Sequence, residues 1–150
     1  MKIAVIDGQG GGLGKAIIET LKRNFPGRAK IIALGTNGVA TSTMLKGGAD
    51  EGASGENALL HNLEEVDIVT GSLSVIIPNA MLGEITPRMV SGVFKSPAQK
   101  YLLPVNNKLL YLVGVKEQPM QKFVEELVLN IKEQLEKKSH LKRDNIFIKK

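Results

Sequence analysis

Five glycines fall within seven residues, at Gly8, Gly10, Gly11, Gly12 and Gly14, and Lys15 follows them. A turn of that composition lets the backbone approach an anion closely. A helix beginning there would aim its free N–H groups and positive end at the same point. The chemistry this suggests is capture of a phosphate, with Gly8, Gln9, Gly10, Gly11, Gly12, Leu13, Gly14 and Lys15 as the binding stretch; the alternative is a glycine turn that only lets helix and strand pack closely. A second set of polar residues is expected to join it: Thr36, Asn37, Ser54, Asn57 and Asn79 as further binding residues, with Asn106 beside them. Asp50, Glu56 and Glu84 are the candidate catalytic groups, able to act as bases or as Mg²⁺ ligands next to a phosphate. Asp7, directly before the glycines, has two readings: it holds the loop in shape, or it repels a bound phosphate. Ser54 and Glu56 also have structural readings, as an N-cap and as an acid favoured at a helix start.

The elements that must place these residues follow from the apolar pattern. Ile3 to Ile6 is a short β-branched run, the mark of a strand covered on both faces. Leu13, Ala16, Ile17 and Leu21 recur at helical spacing until Pro26-Gly27 ends the helix. Lys30 to Leu34 predicts a second strand, Val39 to Lys46 a helix, Glu51 to Asn57 a polar loop, and Ala58 to Glu65 a helix. Asp67 to Val69 predicts a third strand, with β-like pattern continuing over Gly71 to Ile77. Thr86 and Pro87 are an N-cap and first-turn pair for a helix reaching Lys95. Tyr101 to Val105 and Leu109 to Val115 predict two more strands, separated by an Asn106-Asn107 turn. A last helix from Pro119 carries Met120, Phe123, Val124, Leu127, Val128, Ile131 and Leu135 on one stripe. Alternating strands and helices imply a Rossmann-like three-layer αβα sandwich, with a mostly parallel sheet of five or six strands. Ligands of such sheets lie beyond the carboxyl ends of the strands, where the polar segments should gather.

Several chemistries are set aside by composition. The chain has no cysteine, so thiolate metal sites and thiol nucleophiles do not arise. Its two histidines, His61 and His140, have no second ligand at a metal-site spacing, and no metal is expected. The apolar runs are too short for a bilayer span, and a cytoplasmic protein without membrane contact is the expectation. Net charge is +5, but residues 137–150 hold Lys137, Lys138, Lys142, Arg143, Lys149 and Lys150 against Asp144 alone. The body, 1–136, is therefore neutral and forms one domain; the basic segment 137–150 reads as a flexible tail. A neutral body argues against nucleic acid as the partner.

Named phosphate loops can be compared residue by residue. The dinucleotide spacing G-x-G-x-x-G fails, because its third glycine would fall on Leu13. The spacing G-x-x-x-G-x-G fits at Gly8, Gly12 and Gly14, and DGQGGGLGKAI resembles the cofactor loop of short-chain dehydrogenases/reductases. The Tyr-x-x-x-Lys pair of that family is missing, since Tyr101 and Tyr111 have Val105 and Val115 at the lysine position. The tip of the second strand, Gly35-Thr36-Asn37, has no acid for a ribose and no arginine for a 2′-phosphate, which argues against NAD or NADP. Gly10 to Ala16 also looks like a variant Walker sequence. Ala16 replaces its Mg²⁺-binding hydroxyl, so NTP hydrolysis is not expected, although Lys15 could still touch a phosphate.

Over most of the chain, IDGQGGGLGKAI, ALGTNGVATSTMLKGGADEGASGENA and PNAMLGEITPRM resemble a small bacterial family defined as a domain of unknown function. That resemblance implies a Rossmann-like fold and brings no activity with it. The expected function is binding of a nucleotide or other phosphate-bearing small molecule, as a sensor or regulatory subunit, in a homodimer. The alternatives are an enzyme using that nucleotide as cofactor or substrate, and an assembly or nucleic-acid partner acting through the basic tail.

Overall fold

The computed structural model describes residues 1–104 and 110–148. In chain order it contains β1 (Lys2–Asp7), α1 (Gly12–Asn24), β2 (Lys30–Gly35), α2 (Gly38–Lys46), β3 (Glu51–Ser54) and α3 (Glu56–Asn62). These are followed by β4 (Ile68–Ser72), a 3₁₀ turn (Leu73–Ile76), α4 (Pro87–Lys95), β5 (Gln99–Leu103) and α5 (Met120–Ile148). The five strands are all parallel, in the order β3-β2-β1-β4-β5. This is the Rossmann arrangement expected of alternating βα units, with β1 at the centre.

The pleat of β1 divides the core. Ile3 and Val5 join Ile17, Ile18 and Leu21 of α1 and Val124, Val128 and Ile131 of α5 on one face. Ala4 and Ile6 join Leu59 of α3, Leu63 just after it, and Met89 and Val93 of α4 on the other. Each fully buried aliphatic side chain contributes about 1.5–3 kcal/mol, so the sheet is sealed on both sides by similar means. Local signals agree with this packing. Asn37 caps α2 by accepting the Ala40 N–H at 2.9 Å. Thr86 caps α4 by accepting the Met89 N–H at 3.1 Å, with Pro87 in the first turn, where a missing N–H costs nothing.

Four expectations need correction. Glu51 to Ser54, expected in a loop, is the edge strand β3; its register pairs Ile32 with Glu51 and Gly35 with Ser54. An EGAS sequence carries no β-branched residue, so backbone pairing at an edge gave no side-chain signal. The β-like pattern after Gly71 stops at Ser72, and Leu73–Ile76 turns as 3₁₀ instead. β5 starts two residues earlier than expected and ends before Pro104, which has no N–H to donate. Of the strand expected over Leu109 to Val115, Leu109 lies outside the described residues and 110–115 are not in the sheet: Leu110 makes an isolated bridge, and Tyr111 and Val113 are exposed at 91% and 101%. The left-handed Gly114 (φ 89°) interrupts that run. The Asn106-Asn107 turn lies outside the described residues. The helical stripe from Phe123 to Leu135 does pack on the core, and α5 continues through the basic segment to Ile148.

This division of α5 predicts a contrast between neighbouring faces. Ile131→Ala should lower unfolding free energy by about 2–5 kcal/mol, as expected for a fully buried isoleucine. Leu129→Ala, on the exposed side, should stay within about 0.5 kcal/mol. Urea denaturation followed by circular dichroism measures both.

Candidate functional site

Strand β1 lies between β2 and β4, and its carboxyl end opens at the point where strand order changes direction. Asp7 is the last residue of β1, and α1 begins five residues later. The chain turns between them through a bond from the Gly11 N–H to the Gly8 carbonyl, 2.9 Å. Gln9 (φ 49°) and Gly11 (φ 73°) are both left-handed.

The glycines of this turn divide into two kinds. A Cβ at Gly8 would stand 2.6 Å from Met81 Sδ and 2.7 Å from Thr36 Oγ1. One at Gly11 would be 2.6 Å from the Ala40 carbonyl oxygen, and one at Gly14 would be 2.5 Å from Met44 Sδ. Those three are required by packing against α2 and the loop after β4. At Gly10 and Gly12 a Cβ would meet nothing within 4 Å. Glycine costs about 0.5–1 kcal/mol relative to alanine in regular structure, and the fold gives no internal reason for it at these two positions.

Asp7 organises the turn. Its side chain is buried, with Oδ1 accepting from the Gly8 N–H at 2.8 Å and Oδ2 from the Gly14 N–H at 2.7 Å. Burial pushes its carboxyl above the usual aspartate range. The two backbone donors pull in the opposite direction, and the neighbouring Glu84 charge adds to the effect of burial. Gly11 supplies no side-chain cap to α1. With the Gly14 N–H taken by Asp7, the Gly12 and Leu13 N–H groups are the ones that helical geometry leaves without an acceptor. They lie beside the open space at Gly12.

The tip of β2 and the loop after β4 close the other side. Glu84 Oε1 accepts from Thr36 Oγ1 at 2.7 Å, Asn37 Nδ2 at 2.5 Å and the Gln9 N–H at 3.1 Å. Thr36 first, then Asn37, holds the Glu84 carboxyl below the usual glutamate range, so it is an anion at neutral pH. Asn37 Nδ2 also donates to the Gln9 carbonyl at 3.1 Å. The segment carrying Glu84 is left-handed at Asn79, Met81, Leu82 and Gly83 (φ 63°, 56°, 56° and 90°).

Of the residues singled out in the sequence, the structure thus joins the Gly8–Gly14 loop, Thr36, Asn37 and Glu84, with Asn79 at the start of the Glu84 segment. It places others elsewhere. Lys15 Nζ lies 3.8 Å from Glu19, one helical turn further from the loop. Asp50 is at the opposite, amino-terminal edge of the sheet, accepting from the Ile31 N–H at 2.7 Å and Lys22 Nζ at 2.6 Å. Glu56 accepts from Thr86 Oγ1 at 2.5 Å and Arg88 Nη1 at 3.2 Å, which ties α3 to α4. Ser54 does not cap α3; it ends β3 and shares a 2.7 Å hydroxyl bond with Thr41, while Gly55 stands at the cap position. Asn57 is exposed on the first turn of α3. Asn106 lies outside the described residues.

Sequence reasoning passed over Thr70 and Ser72. Both are buried on β4, and neither hydroxyl has a hydrogen-bond partner. Alternation puts them on the α1 side with Ile68, and the β1–β4 register (Val5 opposite Thr70) carries Ser72 beside Asp7. The available signal was a pair of hydroxyls at i and i+2 in an apolar strand. Among the described residues no group of three His, Cys, Asp or Glu could hold a metal. A groove of about 610 Å³ between α3 and α4, lined by Leu60, Leu63, Arg88 and Lys95 among others, includes none of these residues.

The chain belongs to the family described as a domain of unknown function, DUF3842, whose model matches residues 2–136. No curated protein matches it. Among solved structures it resembles a dodecameric FMN-dependent UbiX-like decarboxylase from Escherichia coli O157:H7, at 14% identity and TM-score 0.54, over 90% of this chain and 94% of that one. A universal stress protein in complex with cAMP matches at 16% identity and TM-score 0.35, over 68% of this chain and 94% of that one. At this identity the first likeness bears on the fold alone.

Two outcomes follow from the carboxylates. Asp7→Ala leaves the Gly8 and Gly14 N–H groups unpaired and should cost about 1–3 kcal/mol in urea unfolding. Asp50 has its carboxyl lowered by the Ile31 N–H first and by Lys22 next. Its stabilisation is therefore present above the unfolded-state aspartate pKa and is lost as pH falls through the lower folded value. Wild type should exceed Asp50→Asn in stability at pH 7, and the gap should close on acidification through and below the ordinary aspartate range.

Proposed function

We propose that this protein binds a nucleotide or other phosphate-bearing small molecule at the Gly8–Gly14 loop, acting as a sensor or regulatory subunit. The observation that carries the reading is the open space in front of Gly10 and Gly12, beside the Gly12 and Leu13 N–H groups at the start of α1. Helix starts with free N–H groups attract anions, and absent side chains let a phosphate approach the backbone. Asp7 holds the loop in this shape from behind, so its charge is met by the Gly8 and Gly14 donors and not by the ligand. The crevice at a change of strand order is the usual ligand site of such sheets. Against an enzyme, Asp50 and Glu56 are engaged away from the loop, leaving Glu84 as the single candidate carboxylate there. Self-association belongs to the same reading and is supported by the exposed Tyr111, Val113 and Val115.

Thermal shift with ATP, ADP, GTP, NAD, NADP, FAD, S-adenosylmethionine and sugar phosphates tests this. A ligand at 100 times its Kd should stabilise the protein by about 2.7 kcal/mol. Gly12→Val should keep the ligand-free melting temperature, because a Cβ meets no neighbour within 4 Å there, and should abolish the shift. No shift with any compound would overturn the proposal.

A further inference from the structure

We propose that Glu84 binds the ribose of the nucleotide, so that the site takes a ribonucleoside phosphate with a free 2′-hydroxyl and rejects a 2′-phosphate. This rests on the phosphate reading above and names the ligand's sugar. In sheets of this strand order an acid at the tip of β2 accepts the ribose hydroxyl. The β2 tip here is Gly35-Thr36-Asn37 and supplies none. The loop after β4 supplies one in its place: Thr36 Oγ1 and Asn37 Nδ2 hold Glu84 Oε1 at 2.7 and 2.5 Å, and the Gln9 N–H joins it to the glycine loop at 3.1 Å. Oε1 is saturated by these three donors, while Oε2 has no protein partner among the described residues.

Two further observations point the same way. Met81 and Leu82 hold left-handed backbone that side-chain-bearing residues rarely adopt, and they do so in the segment that delivers Glu84. The chemistry of the free oxygen also selects its occupant. Both Asp7 oxygens are engaged, and no group of three metal-ligating side chains exists among the described residues, so Glu84 Oε2 is the carboxylate oxygen next to the loop that is left without a protein partner. Such an oxygen suits an O–H donor, whereas a phosphate beside it would meet like charge. The ligand therefore lies with its phosphate toward α1 and its sugar toward β2.

Isothermal titration with the four ribonucleoside 5′-monophosphates, their 2′-deoxy forms and adenosine 2′,5′-bisphosphate tests this on wild type and Glu84→Gln. Wild type should favour a ribonucleotide over its deoxy form by about 10-fold or more, the loss expected for one hydrogen bond to a charged group. In Glu84→Gln that preference should shrink, while the 2′,5′-bisphosphate should bind more tightly than it does to wild type. A merely structural role would weaken all ligands together, which would overturn the assignment. Equal wild-type affinity for ribo and deoxy forms would overturn it while leaving the phosphate site standing, and this comparison holds even where the variant does not fold. Binding of none of them would overturn both readings.

Discussion

One buried carboxylate holds the loop in its shape. Asp7 receives the N–H of the residue after it and the N–H of Gly14 in the first turn of α1, closing the chain around the glycines from inside the fold. Without this bridge, two backbone donors at the end of the central strand would be buried without acceptors. Burial penalises the carboxylate, and the two donors offset part of that cost. Gly14 is needed to let Asp7 approach: a Cβ there would press on Asp7 Cβ at 2.9 Å and on Met44. The position of the helix start, and of the N–H groups Asp7 does not use, follows from this contact.

A second carboxylate meets the same loop from the outside. Glu84 joins the tip of β2, the glycine turn and the segment after β4 through one oxygen. Two negative groups so near the proposed anion site look contradictory, but their surroundings differ. Asp7 is enclosed and directed at protein donors, whereas the second oxygen of Glu84 has no protein partner among the described residues. In the proposed binding mode Coulomb's law then assigns the two ends of the ligand: its negative group goes to the N–H groups of α1 and its neutral hydroxyl donors toward Glu84.

Much of this was legible in the sequence, for identifiable reasons. Buried parallel strands and amphipathic helices leave periodic apolar patterns, so β1, β2, α1, α4 and the stripe of α5 stood out. Thr86-Pro87 announced its helix because capping is a local interaction. β3 was invisible because an edge strand of Glu, Gly, Ala and Ser is defined by backbone pairing alone. The run over Leu109 to Val115 misled because apolar composition reports what a segment could bury, not whether a partner is present. Within the site, the glycine loop was plain, yet spacing could not separate glycines needed for packing from those facing open space. Nor could it show that Asp50 lies at the far edge of the sheet, that Lys15 turns to Glu19, or that Glu84 reaches Thr36 across 48 positions. Such long-range pairings become readable only once the strand order is known.

The most direct test is the backbone amide spectrum of uniformly ¹⁵N-labelled protein during titration with a nucleotide or inorganic pyrophosphate. The Gly12 and Leu13 amide resonances should move most, with saturable shifts, while Gly8 and Gly14 stay close to their free positions because Asp7 already holds them. Shifts centred on Gly8 and Gly14, or binding that leaves Gly12 and Leu13 unmoved, would contradict the proposed site.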